Sequence, residues 1–430
     1  MTDLALGILR GNKTPDQEKM IDFFSSQLVG KTIKSFIRDG PKQPNWNIGM
    51  QVSSEMIKVA YGSVGYRYAT MNEDNFDSNF ISQALKPLRN TAVEIVSRGG
   101  DFRRHQWEIA LPNLFDSPDP MFDNLARSDK ECSDNGSPRK LFAEVVSSKE
   151  FIKNTSQSLG IDYEDVFDIK PLNENEVVLV HYHGGAFLQG SPGVYKRLLL
   201  RLHKETGLRV IAPTYRFAPE NPFPAGIYDC FLFFKHLINQ GFKAENIIIQ
   251  GDSAGANIAL VLLLILKQVG AKQPRGAIAL SPGPNFSLNR SKNIENMKYD
   301  YIPGSNFDSL VNSIMLYTVP GKKMNDEIAQ LLKHPFLSPV YGNFDGCAPI
   351  YIHSGQVETL SDDIDAFAKA IGAKETIIRG RKHPGFNTDD RNIYEKYFGM
   401  IHVFHLIEDS DECYSAAKGI GNFVRRLEEL

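Results

Sequence analysis

From residue 176 onward, short β-branched-rich runs alternate with helical stretches, and this rhythm leaves few folds open to the chain. The runs are Glu176–His183, Arg209–Tyr215, Asn246–Gly251, Gly276–Leu280 and Pro349–His353. Their apolar character is continuous rather than alternating, as expected of strands buried on both faces. Between them lie helical stretches at Val194–Thr206, Gly226–Gln240, Ala256–Val269 and Ser361–Ile371. The alternation predicts an α/β fold, a mostly parallel sheet flanked by helices on both sides. Two later strands are expected at Glu375–Arg379 and Ile393–Phe398. The interval from 285 to 345 breaks the rhythm and reads as an insertion over one end of the sheet.

The front of the chain reads differently. Residues 1–100 are mostly helical in pattern, with apolar residues three and four apart in Asp16–Leu28 and Ser53–Tyr61. Asn113–Arg139 is rich in Asp, Ser, Pro, Asn and Gly and reads as a long surface loop. The expected organisation is therefore an N-terminal helical extension over residues 1–140 and a core over 141–430. The extension and the 285–345 insertion together would form a helical cap.

Charge and cysteine usage exclude several classes. The chain has 48 basic and 51 acidic residues in 430, a net charge of −3. That balance argues against nucleic acid or an anionic membrane as a partner held by bulk charge. Cys132, Cys230, Cys347 and Cys413 are scattered, with no CxxC pair, so neither a structural zinc site nor a disulfide framework is expected. His181 and His183 form an H-x-H pair, but no cysteine or carboxylate cluster accompanies it, and no metal or other cofactor is expected. The longest apolar run, Ile258–Leu266, falls well short of the roughly twenty residues that span a bilayer. No transmembrane anchor is expected. The expected location is the cytoplasm, with association with the endoplasmic reticulum as the alternative.

Two motifs carry chemistry. Gly251-Asp252-Ser253-Ala254-Gly255 matches G-x-S-x-G between a strand and an apolar helix, the context in which that motif lifts a serine hydroxyl above a sheet edge. His183-Gly184-Gly185-Ala186-Phe187 follows an earlier strand. Its Gly184-Gly185 pair lets main-chain N–H groups approach one point, as an oxyanion site requires. A base and an acid should follow the serine in the order serine, acid, histidine. By position, Glu358 competes with Asp362 and Asp363 for the acid, and His402 competes with His383 and His405 for the base.

Together these residues resemble the hormone-sensitive-lipase-like esterases of the α/β-hydrolase fold. The landmarks are His183–Phe187, Tyr215–Glu220 with Asn221–Ala225, Gly251–Asn257, Gly355–Asp363 and Gly399–Phe404. The resemblance implies Ser253 as nucleophile, Glu358 as acid and His402 as base. It also implies an oxyanion hole from the Gly184–Gly185–Ala186 loop and Ala254, with Phe187 beside the substrate. Arg216, Glu220 and Asp229 would be structural. Three features depart from the family pattern: Ala186 stands for a third Gly, Glu358 for the commoner Asp, and about sixteen extra residues (Arg381–Lys396) precede the histidine motif. The last keeps His383 in contention.

The N-terminal half is similar to fungal relatives of steryl-acetate deacetylases through Pro44-Asn45-Trp46 and the helix after it. The implied activity is hydrolysis of short-to-medium acyl esters of uncharged alcohols, with a small-molecule ester as partner. An amide hydrolase of the formamidase kind and a non-catalytic ligand-binding member of the fold are the alternatives. A homodimer is the assembly left open.

Overall fold

The structure is a computed structural model that describes residues 15–66, 71, 75–90, 100–111, 113, 116–291, 293–302, 312–386, 389–408 and 410–428. Its centre is a nine-stranded sheet in the order β1-β2-β4-β3-β5-β6-β7-β9-β8. The strands are β1 (Gly100–Glu108), β2 (Lys140–Ser148), β3 (Val178–Tyr182), β4 (Arg209–Pro213), β5 (Ile247–Asp252), β6 (Gly276–Leu280), β7 (Ile350–Gly355), β8 (Lys374–Ile378) and β9 (Ile393–Tyr397). β3 to β9 are parallel to their neighbours, whereas β1 and β2 pair antiparallel to each other, and β2 antiparallel to β4. The mostly parallel sheet flanked by helices that the rhythm of the chain predicts is the one observed, and it is the architecture that the family resemblance implies.

The helices are α1 (Pro15–Asp39), α2 (Ile48–Tyr66), α3 (Ser78–Asn90), α4 (Asp123–Asp134), α5 (Lys149–Leu159), α6 (Lys196–Thr206), α7 (Ala225–Asn239), α8 (Ala254–Gln268), α9 (Ser313–Thr318), α10 (Asp326–Leu331), α11 (Ser361–Ala370) and α12 (Asp411–Arg426). Successive strand residues feed opposite faces of the sheet. Val178, Val180, Ile247, Ile249, Ala277 and Ile350 pack with α7, α8 and α11. Leu179, Ile248, Ile278 and Tyr351 pack with α6 and α12 on the other side. This two-sided burial is why the strands read as uninterrupted apolar runs.

Several segments differ from the sequence reading. The stretch expected to be one long loop contains a 3₁₀ turn, Pro120–Phe122, followed by α4. Asp119 caps the turn by accepting from the Met121 N–H at 3.0 Å, and Phe122 and Ala126 are buried. Its Asp, Ser and Pro content marks a helix start rather than an unstructured run. Neither β1 nor its antiparallel partner β2 was anticipated: the sequence of β1, GDFRRHQWE, is that of a charged edge strand with little buried apolar face. The sheet thus takes in a strand from the first 140 residues. No described helix is long and apolar enough to cross a membrane.

The strand order places the reversal of winding between β3 and β5, since the chain leaves β3 toward β4 and returns to lay β5 on the other side. Crevices at the carboxyl ends of strands flanking such a reversal are where α/β sheets present ligand sites. The glycine loop follows β3 and the G-x-S-x-G turn follows β5, so both motifs open into that crevice.

Candidate active site

Ser253 stands where β5 gives way to α8, with φ 52° and ψ −116°, a left-handed conformation that costs a non-glycine residue about 1–3 kcal/mol. Flanking glycines make the turn sterically possible. A Cβ on Gly251 would lie 2.2 Å from the Gly255 carbonyl oxygen, and one on Gly255 1.9 Å from the Tyr182 carbonyl oxygen. Helix and strands therefore meet backbone against backbone. The turn is held by the Ser253 N–H donating to the Leu280 carbonyl at 2.9 Å and by the Asn257 N–H donating to the Ser253 carbonyl at 3.1 Å.

His402, on the loop after β9, brings Nε2 to 2.8 Å from Ser253 Oγ. Its Nδ1 faces Glu358 Oε1 across 3.6 Å. Both atoms are buried and neither has another hydrogen-bond partner, so each is turned toward the other across a gap somewhat longer than a hydrogen bond. The second carboxylate oxygen, Glu358 Oε2, accepts from Ser281 Oγ at 2.6 Å and from the Gly355 N–H at 2.8 Å. Ser281 Oγ in turn accepts from the Val403 N–H at 3.1 Å. One hydroxyl thus joins the Glu358 loop to the His402 loop. Burial alone would lower the His402 pKa, but the Glu358 carboxylate, with Asp300 and Asp252 beyond it, raises it above the ordinary imidazole value.

The loop after β3 arches beside the serine. Gly185, Ala186 and Phe187 have φ of 116°, 56° and 61°, and a Cβ on Gly185 would lie 2.1 Å from the Gln189 carbonyl oxygen. Gly184, grouped with the oxyanion residues on sequence, gives its N–H to Asp252 Oδ1 at 3.0 Å. Its N–H is thereby committed, and its want of a side chain serves a close approach to Asp252 instead. Asp252 also accepts from the Tyr195 hydroxyl at 2.9 Å, and burial pushes its carboxyl up to about 7 against those bonds. The residue just before the serine therefore ties the serine turn to the glycine loop. The Phe187 ring stacks on Tyr317 with centroids 3.7 Å apart and meets Phe286 edge-on at 6.1 Å.

The other candidates lie elsewhere. His383 Nε2 is 2.9 Å from Glu395 Oε1, in a buried group with Tyr351, Tyr397 and His353. His405 Nε2 pairs with His353 Nδ1 at 3.1 Å. Asp362 and Asp363 hold the insertion, accepting from Ser291 Oγ and Asn285 Nδ2 at 2.6 and 2.9 Å. Arg216 pairs with the fully buried Asp229, which also meets Arg139, while Glu220 meets Arg89. Among the described residues no group of three or more His, Cys, Asp or Glu is placed to hold a metal ion.

Ser281, Asp252 and Asp300 escaped the sequence reading. Asp252 occupies a variable position of its motif, and Ser281 is one serine after a strand. Asp300 sits in an insertion with no recognisable pattern.

A family model described as alpha/beta hydrolase fold matches residues 179–387. An esterase of Acinetobacter venetianus is 34% identical over 218 residues, which span 51% of this chain and 69% of that protein. The chain belongs to the α/β-hydrolase fold family. Human hormone-sensitive lipase is 33% identical over 109 residues, which span 24% of this chain and 10% of that protein. An acetyl-hydrolase of Streptomyces hygroscopicus is 27% identical over 239 residues, 55% of this chain and 71% of that one. The crystal structure of an esterase from the bacterial hormone-sensitive lipase family shares the fold. It has a TM-score of 0.53 at 19% identity and covers 94% of this chain and 97% of that one. As in other hydrolases of this fold, the serine turn lies at the carboxyl edge of a parallel strand.

Proposed function

We propose that this carboxylic ester hydrolase uses Ser253 as nucleophile, His402 as base and Glu358 as the acid partner, on short-to-medium acyl esters of uncharged alcohols. The observation that carries the reading is the 2.8 Å approach of His402 Nε2 to Ser253 Oγ at a left-handed strand-to-helix turn. Neutral His402 takes the Ser253 proton as the oxygen attacks the ester carbonyl. Glu358, facing Nδ1, orients the ring and stabilises its charged form. The main-chain N–H groups of Gly185, Ala186 and Ala254 receive the oxyanion, each contributing roughly 10²–10³ in rate. The imidazolium then protonates the leaving alcohol, and water repeats the cycle on the acyl-enzyme.

Several features support the substrate class. Phe187, Tyr317 and Phe286 close together beside the glycine loop, which favours compact acyl groups. The acetyl-hydrolase relative agrees with a small acyl group. The cap reading draws support from both ends of the surplus chain. The insertion supplies Phe286, Tyr301 and Tyr317, and Tyr301 meets His402 edge-on at 5.8 Å. The N-terminal part of the chain supplies Trp46, just ahead of α2, and Met50 and Ile57 of α2 to the cluster that holds the histidine loop. Four free thiols fit a reducing compartment, and the cytoplasm is the location proposed.

Hydrolysis of p-nitrophenyl acetate, butyrate and octanoate tests the reading. Ser253→Ala and His402→Ala are expected to lose about 10⁴-fold or more in kcat/KM. His383→Ala is expected to keep kcat/KM within a few-fold of wild type in its folded fraction. Activity surviving in Ser253→Ala would overturn the mechanism.

A further inference from the structure

The segment 296–301 of the insertion does more than cover the crevice. Asp300 is 2% exposed, and both of its carboxylate oxygens are turned onto the two loops that carry the acid and the base. Oδ1 accepts from the His402 N–H at 3.1 Å and from its neighbour, the Tyr301 N–H, at 2.9 Å. Oδ2 accepts from the Thr359 N–H at 2.7 Å and from Thr359 Oγ1 at 3.1 Å. Thr359 follows Glu358 directly. One buried carboxylate therefore spans the backbone beside the acid and the backbone of the base. Asn296, four residues earlier, adds a bond from its Nδ2 to the Glu358 carbonyl at 2.9 Å.

Four N–H and O–H donors fill the lone pairs of this carboxylate, the arrangement that favours its ionised form. Burial opposes this and lifts the Asp300 pKa, and the charge of His402 pulls it back down. The charged and titratable groups around the pair come from every element packed there. Glu358 and Asp252 act on His402 together with Asp300, His405 lies next to it on its own loop, and Lys58 of α2 reaches toward Asp300.

We infer that Asp300, supplied by the insertion, is a positioning residue for the proposed reaction. It locks the Glu358 and His402 loops into register and supplies a second negative charge behind the base. The inference rests on the serine-hydrolase reading above. It makes the insertion part of the working site rather than only a cover that selects substrates.

Removing the charge should weaken His402 as a base. With one anion fewer nearby, the imidazole loses its proton at lower pH, so the acid limb of kcat/KM moves down. For Asp300→Asn, the expected result is a fall of roughly 10- to 100-fold in kcat/KM at pH 8. Its acid limb should move down by about half to one pH unit. A limb at the wild-type position with kcat/KM within twofold would overturn the inference.

Should Asp300→Asn not fold, Asp300→Glu carries the test, because it keeps the charge while displacing the backbone bonds. It should leave the acid limb in place and lower kcat about tenfold; wild-type kcat would overturn the inference. Ser253→Ala is run alongside on the same ester. Activity surviving there defeats the serine reading itself, whereas an inactive Ser253→Ala beside a wild-type-like Asp300→Asn defeats only the role given to Asp300.

Discussion

At the scale of single residues, the site depends on groups that touch no substrate. Ser281 donates to Glu358 and accepts from the Val403 N–H, and it does so from backbone with φ 46°. Ser281→Ala would leave a buried N–H and a carboxylate lone pair unmatched, at a cost of about 1–3 kcal/mol. The expected outcome is a lower melting temperature together with roughly tenfold lower kcat, read from thermal unfolding and steady-state rates on p-nitrophenyl butyrate. The pH dependence follows from His402. Its pKa is raised, so the neutral base is the minority form until the pH passes a point above the ordinary imidazole value. The rate should therefore fall as the pH drops through that point and hold level on its alkaline side, and a kcat/KM profile checks it. Glu358→Gln removes the carboxylate charge nearest the base and should shift the same limb to lower pH. Ser253 and His402, whose side chains meet, stand in patterns a reader can find, because a strained turn needs small neighbours at fixed spacing. Ser281 and Asp300 act through position alone, and nothing in their residue type or neighbours announces it.

At the scale of elements, the approach of α8 to β3 is the tightest constraint. Gly255 starts the helix against the Tyr182 carbonyl with no room for a methyl group. Gly255→Ala is expected to cost about 3 kcal/mol or to prevent folding, measured by urea unfolding. The segment leading into α2 has a comparable role at the loop that carries His402. Trp46, just ahead of it, donates Nε1–H to the Gly399 carbonyl at 2.7 Å, and Asn45 Nδ2 donates to the Phe398 carbonyl at 2.8 Å. Arg89 of α3 reaches the carbonyls of Leu188 and Ala218, beside the glycine loop. Trp46→Ala should destabilise by about 3–5 kcal/mol and lower kcat, since the loop it braces carries His402. The inner parallel strands β3 to β7 were legible because burial on both faces leaves a continuous apolar signature. β1 was not legible, because an edge strand with arginines at its centre needs no such signature, and α4 was hidden because its own residues, DNLARSDKECSD, are largely turn-forming types and follow a short capped turn.

At the scale of the whole molecule, the surplus residues and the sheet share their interior. Trp46, Met50 and Ile57 lie in one cluster with Tyr301 of the insertion and with Tyr397, Met400 and Phe404 of the core. Loss of ester hydrolysis and loss of near-ultraviolet circular dichroism should therefore coincide along a urea titration, and an earlier loss of dichroism from a separately melting N-terminal part would contradict this.

The bonds from Asn45 and Trp46 to the loop at 398–399 join positions 353 residues apart in the chain. During synthesis the serine turn leaves the ribosome well before the histidine loop, and Asn45 and Trp46 wait for a further 353 residues before their partners exist. The emerging polypeptide therefore holds this apolar face without its own partner throughout that interval. Hydrolytic competence waits until the segment around residue 400 has closed the circle.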